Sequence, residues 1–286
     1  MLALSLDTSS PATSIALVAV ELPPASPSLD AASSARTFTF RTLAEELFLP
    51  PAKAGDQLPD ALSALCVRAG CSLDDVGALA VGLGPGSFTG LRVGLAAAKG
   101  LAYARRWPVA GASSLRAVAR SSSRTLGLTS GLLVAALEAR RGELFLSAYT
   151  LHAGAVDACG DEKVMQASDV SAWLAQLHAE QAGRGVAYDA PMLVGPGATK
   201  NLELLRAGGV SDASLACAAS PHWPSAAALV ELCAAQLVAT DSGSGANPLC
   251  WRPGDTAELF ALAPRYLAES EAEKALMAGR VGKLPK

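Results

Sequence analysis

The residues best suited to chemistry lie between the first two apolar segments of the chain, in the sequence DTSSPATS. Asp7 provides a carboxylate, and hydroxyl groups follow at Thr8, Ser9 and Thr13. Carboxylate oxygens suit a hard cation such as Mg²⁺. Asp, Ser and Thr side chains also close tight turns by bonding to nearby backbone groups. The pattern therefore predicts a polar loop, with a ligand-binding site and a purely structural turn as its two interpretations.

The histidines and cysteines do not suggest a metal centre. His152, His178 and His222 are not spaced to share a helix face, so each is expected to be a solvated or capping residue. The cysteines contain no CxxC pair and no spacing typical of a metal site. Buried thiols in a reducing compartment are predicted for all six, which are Cys66, Cys71, Cys159, Cys217, Cys233 and Cys250. No metal ligands are predicted.

A serine nucleophile needs an adjacent base and an exposed position. The string nearest to a nucleophile elbow is GASSL from Gly111, and it lacks the last glycine of GxSxG. Ser113 is better explained as the cap of the helix that follows. The sequence therefore predicts no catalytic residue.

The polar loop must be positioned by the elements on either side of it. Residues 1–6 and 13–20 are predicted strands that form a hairpin around it, and a third strand is predicted at 37–40. A helical stretch is expected from Thr42 to Pro50, resuming over 59–69. Between the second and third strands, residues 21–35 are rich in Pro, Ser and Ala, which predicts a solvated insertion.

The segment VGLGPGSFTGLRVGLAAAKG, residues 81–100, predicts a strand, a tight Gly-Pro-Gly turn and a helix capped by Ser87. The free N–H groups of such a turn can hold an anion, but no Walker lysine follows and the GxGxxG spacing fails. Gly90 and Gly94 lie four apart on one face of this helix, and each costs roughly 0.5–1 kcal/mol relative to alanine. Close approach of another backbone would offset that cost.

A docking surface is the hypothesis that follows from this small-residue face. Leucines at spacings of four and three give the preceding helix an apolar stripe that would complete it. The alternative is that the same face packs inside the fold. The residues predicted to contact a partner are Leu58, Leu62, Leu65, Gly90, Gly94, Ala97, Ala98 and Leu101.

The rest of the chain repeats the first part in outline. Strands are predicted at 108–111, 132–137, 143–150 and 192–195, with helices at 113–122, 169–180, 198–206 and 225–238. A last strand or extended segment is expected at 260–267, after a linker from Gly243. The order of elements predicts an α/β protein of two similar lobes.

Composition limits the partners of the chain. The formal charge of −3 over 286 residues gives no basic footprint for a strong direct grip on nucleic acid. Arg116, Arg120 and Arg124 recur every four residues, which predicts the solvated face of a helix, with a local basic patch including Arg140 and Arg141 as the alternative. The first residues lack the pattern of a signal peptide, and no uninterrupted apolar run is long enough to span a membrane. A cytoplasmic protein is expected.

Several segments together resemble the bacterial TsaB (YeaZ) family. The most specific is GLGPGSFTGLRVGLAAAKGLA, preceded by MLALSLDTSS at the start of the chain. Other matching segments occur in the same order, namely LPDALSALCVRAGCSLDDVGALAVG, PVAGASSLRAVA, ALEARRGELFLSAY and APRYL. The chain departs from the family at Glu138, where an aspartate is common, and at AKAGDQLP, where a histidine is usual.

The resemblance implies an actin-like (ASKHA, ribonuclease H-like) fold of two lobes. The expected boundaries are 1–107 for the first lobe, 108–268 for a second, degenerate lobe whose C-terminal part can pack back on the first, and 269–286 for a tail. In this fold the first hairpin faces nucleotide phosphates, which implies a weak cofactor-binding role for Asp7, Thr8, Ser9 and Thr13. A second phosphate loop is not evident, so no cofactor of its own is expected, and ATP or ADP would lie at a complex interface.

The resemblance also implies a function. A TsaB-like chain is a non-catalytic accessory subunit that binds and activates TsaD, with TsaE joining, in threonylcarbamoyladenosine modification of ANN-decoding tRNAs. It would form a homodimer when alone and meet tRNA only through the complex, with no membrane partner. The rival is a free-standing actin-fold kinase or ATPase, or a peptidase.

Overall fold

The computed structural model describes residues 1–21, 38–49, 54–140, 142–183, 190–220, 222–238, 250–251, 253 and 256–267. The predicted insertion at 21–35, the linker from Gly243 and the tail lie outside these residues, apart from Glu21. Within the described part of the chain, strands and helices alternate in the way the apolar pattern predicts for an α/β protein.

The strands, in chain order, are β1 (Leu2–Asp7), β2 (Thr13–Glu21), β3 (Thr39–Phe48), β4 (Val76–Gly82), β5 (Val109–Ala112), β6 (Gly131–Arg140), β7 (Glu143–His152), β8 (Ala155–Ala158), β9 (Lys163–Gln166), β10 (Met192–Val194) and β11 (Cys250–Trp251).

The helices, in chain order, are α1 (Ala54–Ala69), α2 (Phe88–Arg105), α3 (Ser114–Thr125), α4 (Val170–Gly183), α5 (Pro196–Lys200), α6 (Leu202–Ala207), α7 (Asp212–Leu215), α8 (Ala226–Val238) and α9 (Thr256–Ala261). Short 3-10 turns precede β4 and α4.

The first sheet has the strand order β11-β5-β4-β1-β2-β3 among the described residues. Because side chains alternate along a strand, its two faces have different covers. Leu4 and Leu6 of β1 face a core shared with α1 and α2. Ala3 of the same strand faces α8, which lies on the other side of the sheet. The hairpin of β1 and β2 is therefore enclosed on both faces.

The second sheet has the order β10-β6-β7-β8, with β9 also paired to β7. Leu132 and Val134 of β6 pack against α4 on one face. Leu133 and Ala135 face Leu115 and Val118 of α3 on the other. Each sheet is thus covered by its own helices, and α3 and α8 lie between the two sheets, in contact with each other.

An ion triad joins these two helices. Glu231 of α8 accepts from Arg120 at 2.7 Å and from Arg124, and its side chain is almost fully buried. Arg116 donates to the carbonyl oxygen of Val156 at 2.7 Å. The side chains of Arg116 and Arg124 are 41% and 56% exposed, so the predicted solvated face is partly present, although each guanidinium of α3 also bonds to another element.

Most predicted elements lie within a few residues of the observed ones. Two predictions are wrong: the helix expected from Thr42 is part of strand β3, and 260–267 begins in helix α9 and continues without regular structure. The lobe boundary near Trp107 stays a prediction. Strand β5, which follows this boundary, belongs to the first sheet, and so does β11. Helix α8 packs against the same sheet.

Candidate functional site

The polar loop lies against the Gly-Pro-Gly turn and the start of α2. The backbone N–H of Ser87 donates to the carbonyl oxygen of Ser9 at 2.6 Å. The Thr8 hydroxyl donates to the carbonyl oxygen of Gly90 at 2.7 Å. Ser87 also caps α2 by accepting from the N–H of Gly90, as predicted. Loop, turn and helix therefore form one hydrogen-bonded unit.

Asp7 is at the centre of this unit and is 1% exposed. Its Oδ1 accepts from the backbone N–H and the hydroxyl of Ser9, at 2.9 and 2.6 Å. Its Oδ2 accepts from the hydroxyl of Ser114, the first residue of α3, at 2.6 Å. Burial raises the pKa of Asp7, and the three hydrogen bonds oppose part of that rise. The carboxylate thus closes a turn and ties β1 to α3.

The phosphate-facing role implied for this loop needs correction. Asp7, Thr8, Ser9 and Thr13 are all buried, and the oxygens of Asp7 and Thr8 already have partners inside the chain. A buried carboxylate with three donors around it has little capacity for a cation. Of the four residues, Ser9 alone is among those that line the cavity described next.

That cavity has a volume of about 310 Å³ and lies between the two sheets. Ser9, Ser10 and Pro11 line it from the polar loop. The opposite wall comes from the end of β6, helix α5 and Trp223, and it includes an ion pair in which Lys200 donates to Glu138 at 2.6 Å. Its surface is mainly apolar, unlike a phosphate site built from rows of backbone N–H donors.

Backbone groups at the Gly-Pro-Gly turn also bond to other parts of the same chain. The N–H of Gly84 donates to Ser114 Oγ at 3.2 Å, and the N–H of Ser114 returns a bond to the carbonyl oxygen of Gly84 at 2.8 Å. The N–H of Arg265 donates to the carbonyl oxygen of Leu83 at 2.7 Å. The turn therefore joins β4 to α3 and to the C-terminal segment.

The glycine face of α2 points inward. A Cβ added at Gly90 would overlap the carbonyl oxygen of Thr8, and one added at Gly94 would overlap the Thr8 hydroxyl. The close approach that offsets the cost of these glycines is thus made by Thr8, directly after β1 of the same chain. Their predicted contact with a partner is corrected for this reason.

The leucine stripe of α1 is also internal. Leu58, Leu62 and Leu65 are at most 5% exposed and belong to the core under the first sheet, together with Ala98. The predicted interface residues Ala97 and Leu101 are partly buried against the same core. Docking through these leucines and Ala98 would require the lobe to open, so this part of the prediction is corrected as well.

Sequence reasoning missed the opposite side of the same two helices. Ala96, Gly100 and Tyr103 of α2 are exposed, as are Ala64 and Val67 of α1. Tyr103 is 61% exposed and Val67 is 79% exposed. An ion pair between Arg105 and Asp74 holds the end of α2 to the turn after α1. We call these five residues the outer face. Their spacing of three and four was the available signal.

The C-terminal segment borders the outer face. The ring of Tyr266 lies 5.0 Å from that of Phe88, and the Arg92 guanidinium stacks over Phe88 at 3.8 Å. Lys99 donates to the carbonyl oxygen of Phe260 at 2.9 Å. Phe260 is itself exposed. Arg92 and Lys99 of α2 thus hold this segment along the helix, while the Phe260 ring stays exposed to solvent.

The remaining candidates take structural places. Ser113 accepts from the N–H of Arg116 and so caps α3, as predicted, and its hydroxyl donates to Glu162. His152 is exposed, while His178 and His222 are partly buried. Burial lowers the pKa of His222. Across the described residues, no three His, Cys, Asp or Glu side chains gather as metal ligands, and no helix is both long and apolar enough to span a membrane.

The two sheets are covered by helices and meet across α3 and α8, and the hairpin of the first sheet lies at their junction. This arrangement is that of a two-lobed α/β protein of the actin-like class. YeaZ from Pseudomonas aeruginosa has the same fold, with a TM-score of 0.59 and 24% identity over 93% of this chain and 99% of that chain. The predicted fold class is confirmed.

Sequence comparison gives the family. The family model described as "TsaD: tRNA N6-adenosine threonylcarbamoyltransferase" matches residues 53–284. TsaB of Escherichia coli K12 is 42% identical over 85 residues, which are 30% of this chain and 36% of the relative. TsaB of Bacillus subtilis 168 is 34% identical over 104 residues, 36% of this chain and 42% of the relative. The chain belongs to this TsaD-related family, in its TsaB (YeaZ) branch.

These matched segments span less than half the length of the curated relatives. The resemblance inferred from the GPGSFTG segment is confirmed, since the curated relatives carry the TsaB name.

Proposed function

We propose that this chain is an accessory subunit in tRNA threonylcarbamoyladenosine biosynthesis, which binds and activates a TsaD-type transferase with TsaE as a further partner. The names of the sequence relatives and of the family model support this pathway. The observation that carries the accessory role is the outer face. Its residues are exposed and mostly small and apolar, and they lie on the two helices that cover the first sheet.

The outer face suits a helical partner. Ala64, Ala96 and Gly100 have little or no side chain, and nothing lies within 4 Å of a Cβ added at Gly100. Small residues let a second helix approach closely, while Tyr103 and Val67 provide the larger contacts that anchor an interface. We therefore place TsaD on this face, and a second copy of the chain on it when TsaD is absent.

The polar loop supports the same proposal. Asp7 and Thr8 use their oxygens to join β1, α2 and α3, so they contribute to the shape of the lobe. A nucleotide that takes part in the complex is then held chiefly by residues of the partners. The transferase chemistry and its metal belong to TsaD, and tRNA meets this chain only within the assembly.

Binding to TsaD tests the proposal directly. The double variant Val67→Asp/Tyr103→Asp places two carboxylates on the outer face, where docking would bury them. We expect the affinity for TsaD to fall at least tenfold, with a parallel loss of threonylcarbamoyladenosine formation by the reconstituted system. Size-exclusion chromatography and titration calorimetry measure the first effect, and mass spectrometry of tRNA nucleosides measures the second.

Leu204→Asp is the matched control, because Leu204 is 48% exposed on α6, which is packed with the second sheet. It should leave both measurements unchanged. Normal binding by the double variant would exclude the outer face as the docking site. Multiple turnover of threonylcarbamoyl transfer or ATP hydrolysis by the isolated wild-type chain would instead favour the free-standing enzyme.

A further inference from the structure

Helix α1 ends in a motif that brings two cysteines together. The N–H of Gly70 donates to the carbonyl oxygen of Val67 at 3.1 Å, and the N–H of Cys71 donates to the carbonyl oxygen of Cys66 at 3.1 Å. Gly70 has a φ of +68°. This pair of bonds with a left-handed glycine is a Schellman motif, in which the side chains at the two ends of the longer bond are often in contact. Here both of those side chains are thiols.

The two thiols have different surroundings. Cys66 is 5% exposed and belongs to the core beneath α1. Cys71 is partly exposed and packs against the same core. The two side chains thus pack against the same core at the end of α1. Burial, followed by the proximity of Cys71 and Asp75, raises the pKa of Cys66. One thiol is thus open to solvent and its neighbour is protected.

We propose that Cys66 and Cys71 are a redox modification site, which closes to a disulfide when the chain meets a hydroperoxide. The bond from the N–H of Cys71 to the carbonyl oxygen of Cys66 brings the two residues side by side, as a disulfide requires. They are five positions apart in sequence, so the disulfide would close a short loop at the end of α1. In a reducing compartment such a disulfide is transient, because thiol reductants reopen it, and it therefore acts as a redox sensor.

The chemistry balances with hydrogen peroxide as the oxidant. The Cys71 thiolate attacks one peroxide oxygen, so an S–O bond forms, the O–O bond breaks, and hydroxide leaves and takes up the proton lost by the thiol. The Cys66 sulfur then attacks the Cys71 sulfenic acid. An S–S bond forms, the S–O bond breaks, and the departing hydroxide takes the Cys66 proton. Two thiols and one peroxide give one disulfide and two waters.

The reaction assigns separate roles to the two cysteines. Cys71 is the residue that the oxidant reaches, since it is the more exposed. Cys66 resolves the sulfenic acid, and its burial protects it from direct oxidation. Cys233 and Cys250 provide an internal comparison, because Cys233 belongs to the core around α8 and Cys250 packs against that core. Cys233 is fully buried and its pKa is raised to about 12, mainly by burial, so that pair should stay reduced.

The experiment uses the full chain and takes advantage of Arg68, which lies between the two cysteines. The reduced protein is treated with graded hydrogen peroxide, alkylated, and digested with trypsin. Peptides 54–68 and 69–92 should appear joined by a disulfide and separate after reduction, with a loss of two hydrogens in the intact mass. Cys66→Ser should abolish the joined pair and leave a sulfenic acid at Cys71 that dimedone traps.

Cys250→Ser is the control, and it should form the 66–71 pair as readily as the wild type. Circular dichroism before and after oxidation establishes that all variants remain folded. The proposal is overturned if Cys71 is oxidised in the folded wild type without joining Cys66. It is also overturned if Cys66 reacts first, or if Cys233 is modified at the same peroxide concentration.

Discussion

The two faces of α2 are built from similar residues and have different roles. The inner face has Gly90 and Gly94 against Thr8, directly after strand β1, where an added Cβ would overlap existing atoms. The outer face has Ala96 and Gly100, and the space beside Gly100 is open. On the inner face a small residue is required, because Thr8 already lies against it. On the outer face a small residue leaves room for another molecule.

This difference explains why the spacing of glycines alone cannot distinguish an internal contact from a docking surface. A glycine in a helix has an energetic cost, and the sequence shows that cost without showing what offsets it. On the inner face the compensation is the bond from the Thr8 hydroxyl to the carbonyl oxygen of Gly90, together with close packing of α2 on the first sheet. Substitutions on the two faces should therefore have effects of opposite sign.

The largest effect is expected for Gly90→Ala. Its new methyl group meets the backbone carbonyl of Thr8, which cannot rotate away as a side chain would. Overpacking of this kind costs about 3 kcal/mol of the free energy of unfolding, more than the gain of about 1 kcal/mol that alanine brings to a helix. Urea denaturation followed by circular dichroism measures the difference. A stability equal to that of the wild type would show that α2 and β1 do not pack as closely as described.

An intermediate effect is expected for Asp7→Asn, which keeps the size of the side chain and removes its charge. The amide has one acceptor oxygen where the carboxylate has two, so the bonds from Ser9 and Ser114 cannot all be kept. We expect a loss of about 1–2 kcal/mol near neutral pH.

The pH dependence of this loss separates burial from hydrogen bonding. Because burial raises the pKa of Asp7 in the folded chain, folding takes up a proton between the unfolded and folded pKa values. The wild-type stability contribution of Asp7 therefore falls as pH rises from about 4 through the folded pKa. The advantage of the wild type over Asp7→Asn should be greater at pH 4.5 than at pH 7.5 in urea titrations. An advantage that grows with pH would mean that the hydrogen bonds outweigh burial.

The smallest effect is expected for Gly100→Ala, on the outer face. Nothing obstructs the methyl group, so the helix gains stability by roughly 0.5–1 kcal/mol. The same urea titration detects it as a higher midpoint at unchanged slope. If this variant lost stability to the extent of Gly90→Ala, the two faces of α2 would not differ in the way the structure indicates.

The sequence predicted the class of the fold and most element positions because apolar periodicity records which side of an element is covered. It failed at β3, where TLAEELF has a helical spacing of apolar residues. There the pairing of nine residues with β2 outweighs local preference, and one side of the edge strand tolerates charge. The C-terminal segment was misassigned for a similar reason, since its backbone bonds to Leu83, far away in sequence.

The sequence predicted which residues form the candidate site better than it predicted their role. The sequence placed Asp7, Thr8 and Ser9 in one polar loop, and the turn that was one of its two interpretations is present. What it could not provide was the partner of each oxygen. Ser114 is more than a hundred residues from Asp7, and only the folded chain brings its hydroxyl to the carboxylate. Burial of the loop follows from that long-range contact.

The ion triad between α3 and α8 has a mechanical consequence. Moving α3 away from α8 would separate the nearly buried Glu231 carboxylate from Arg120 and Arg124. The separation would exchange two ion pairs for hydration of the charges, so the triad favours the observed contact between the two helices. If a partner docks on α1 and α2 as proposed, this contact links its position to that of the second sheet.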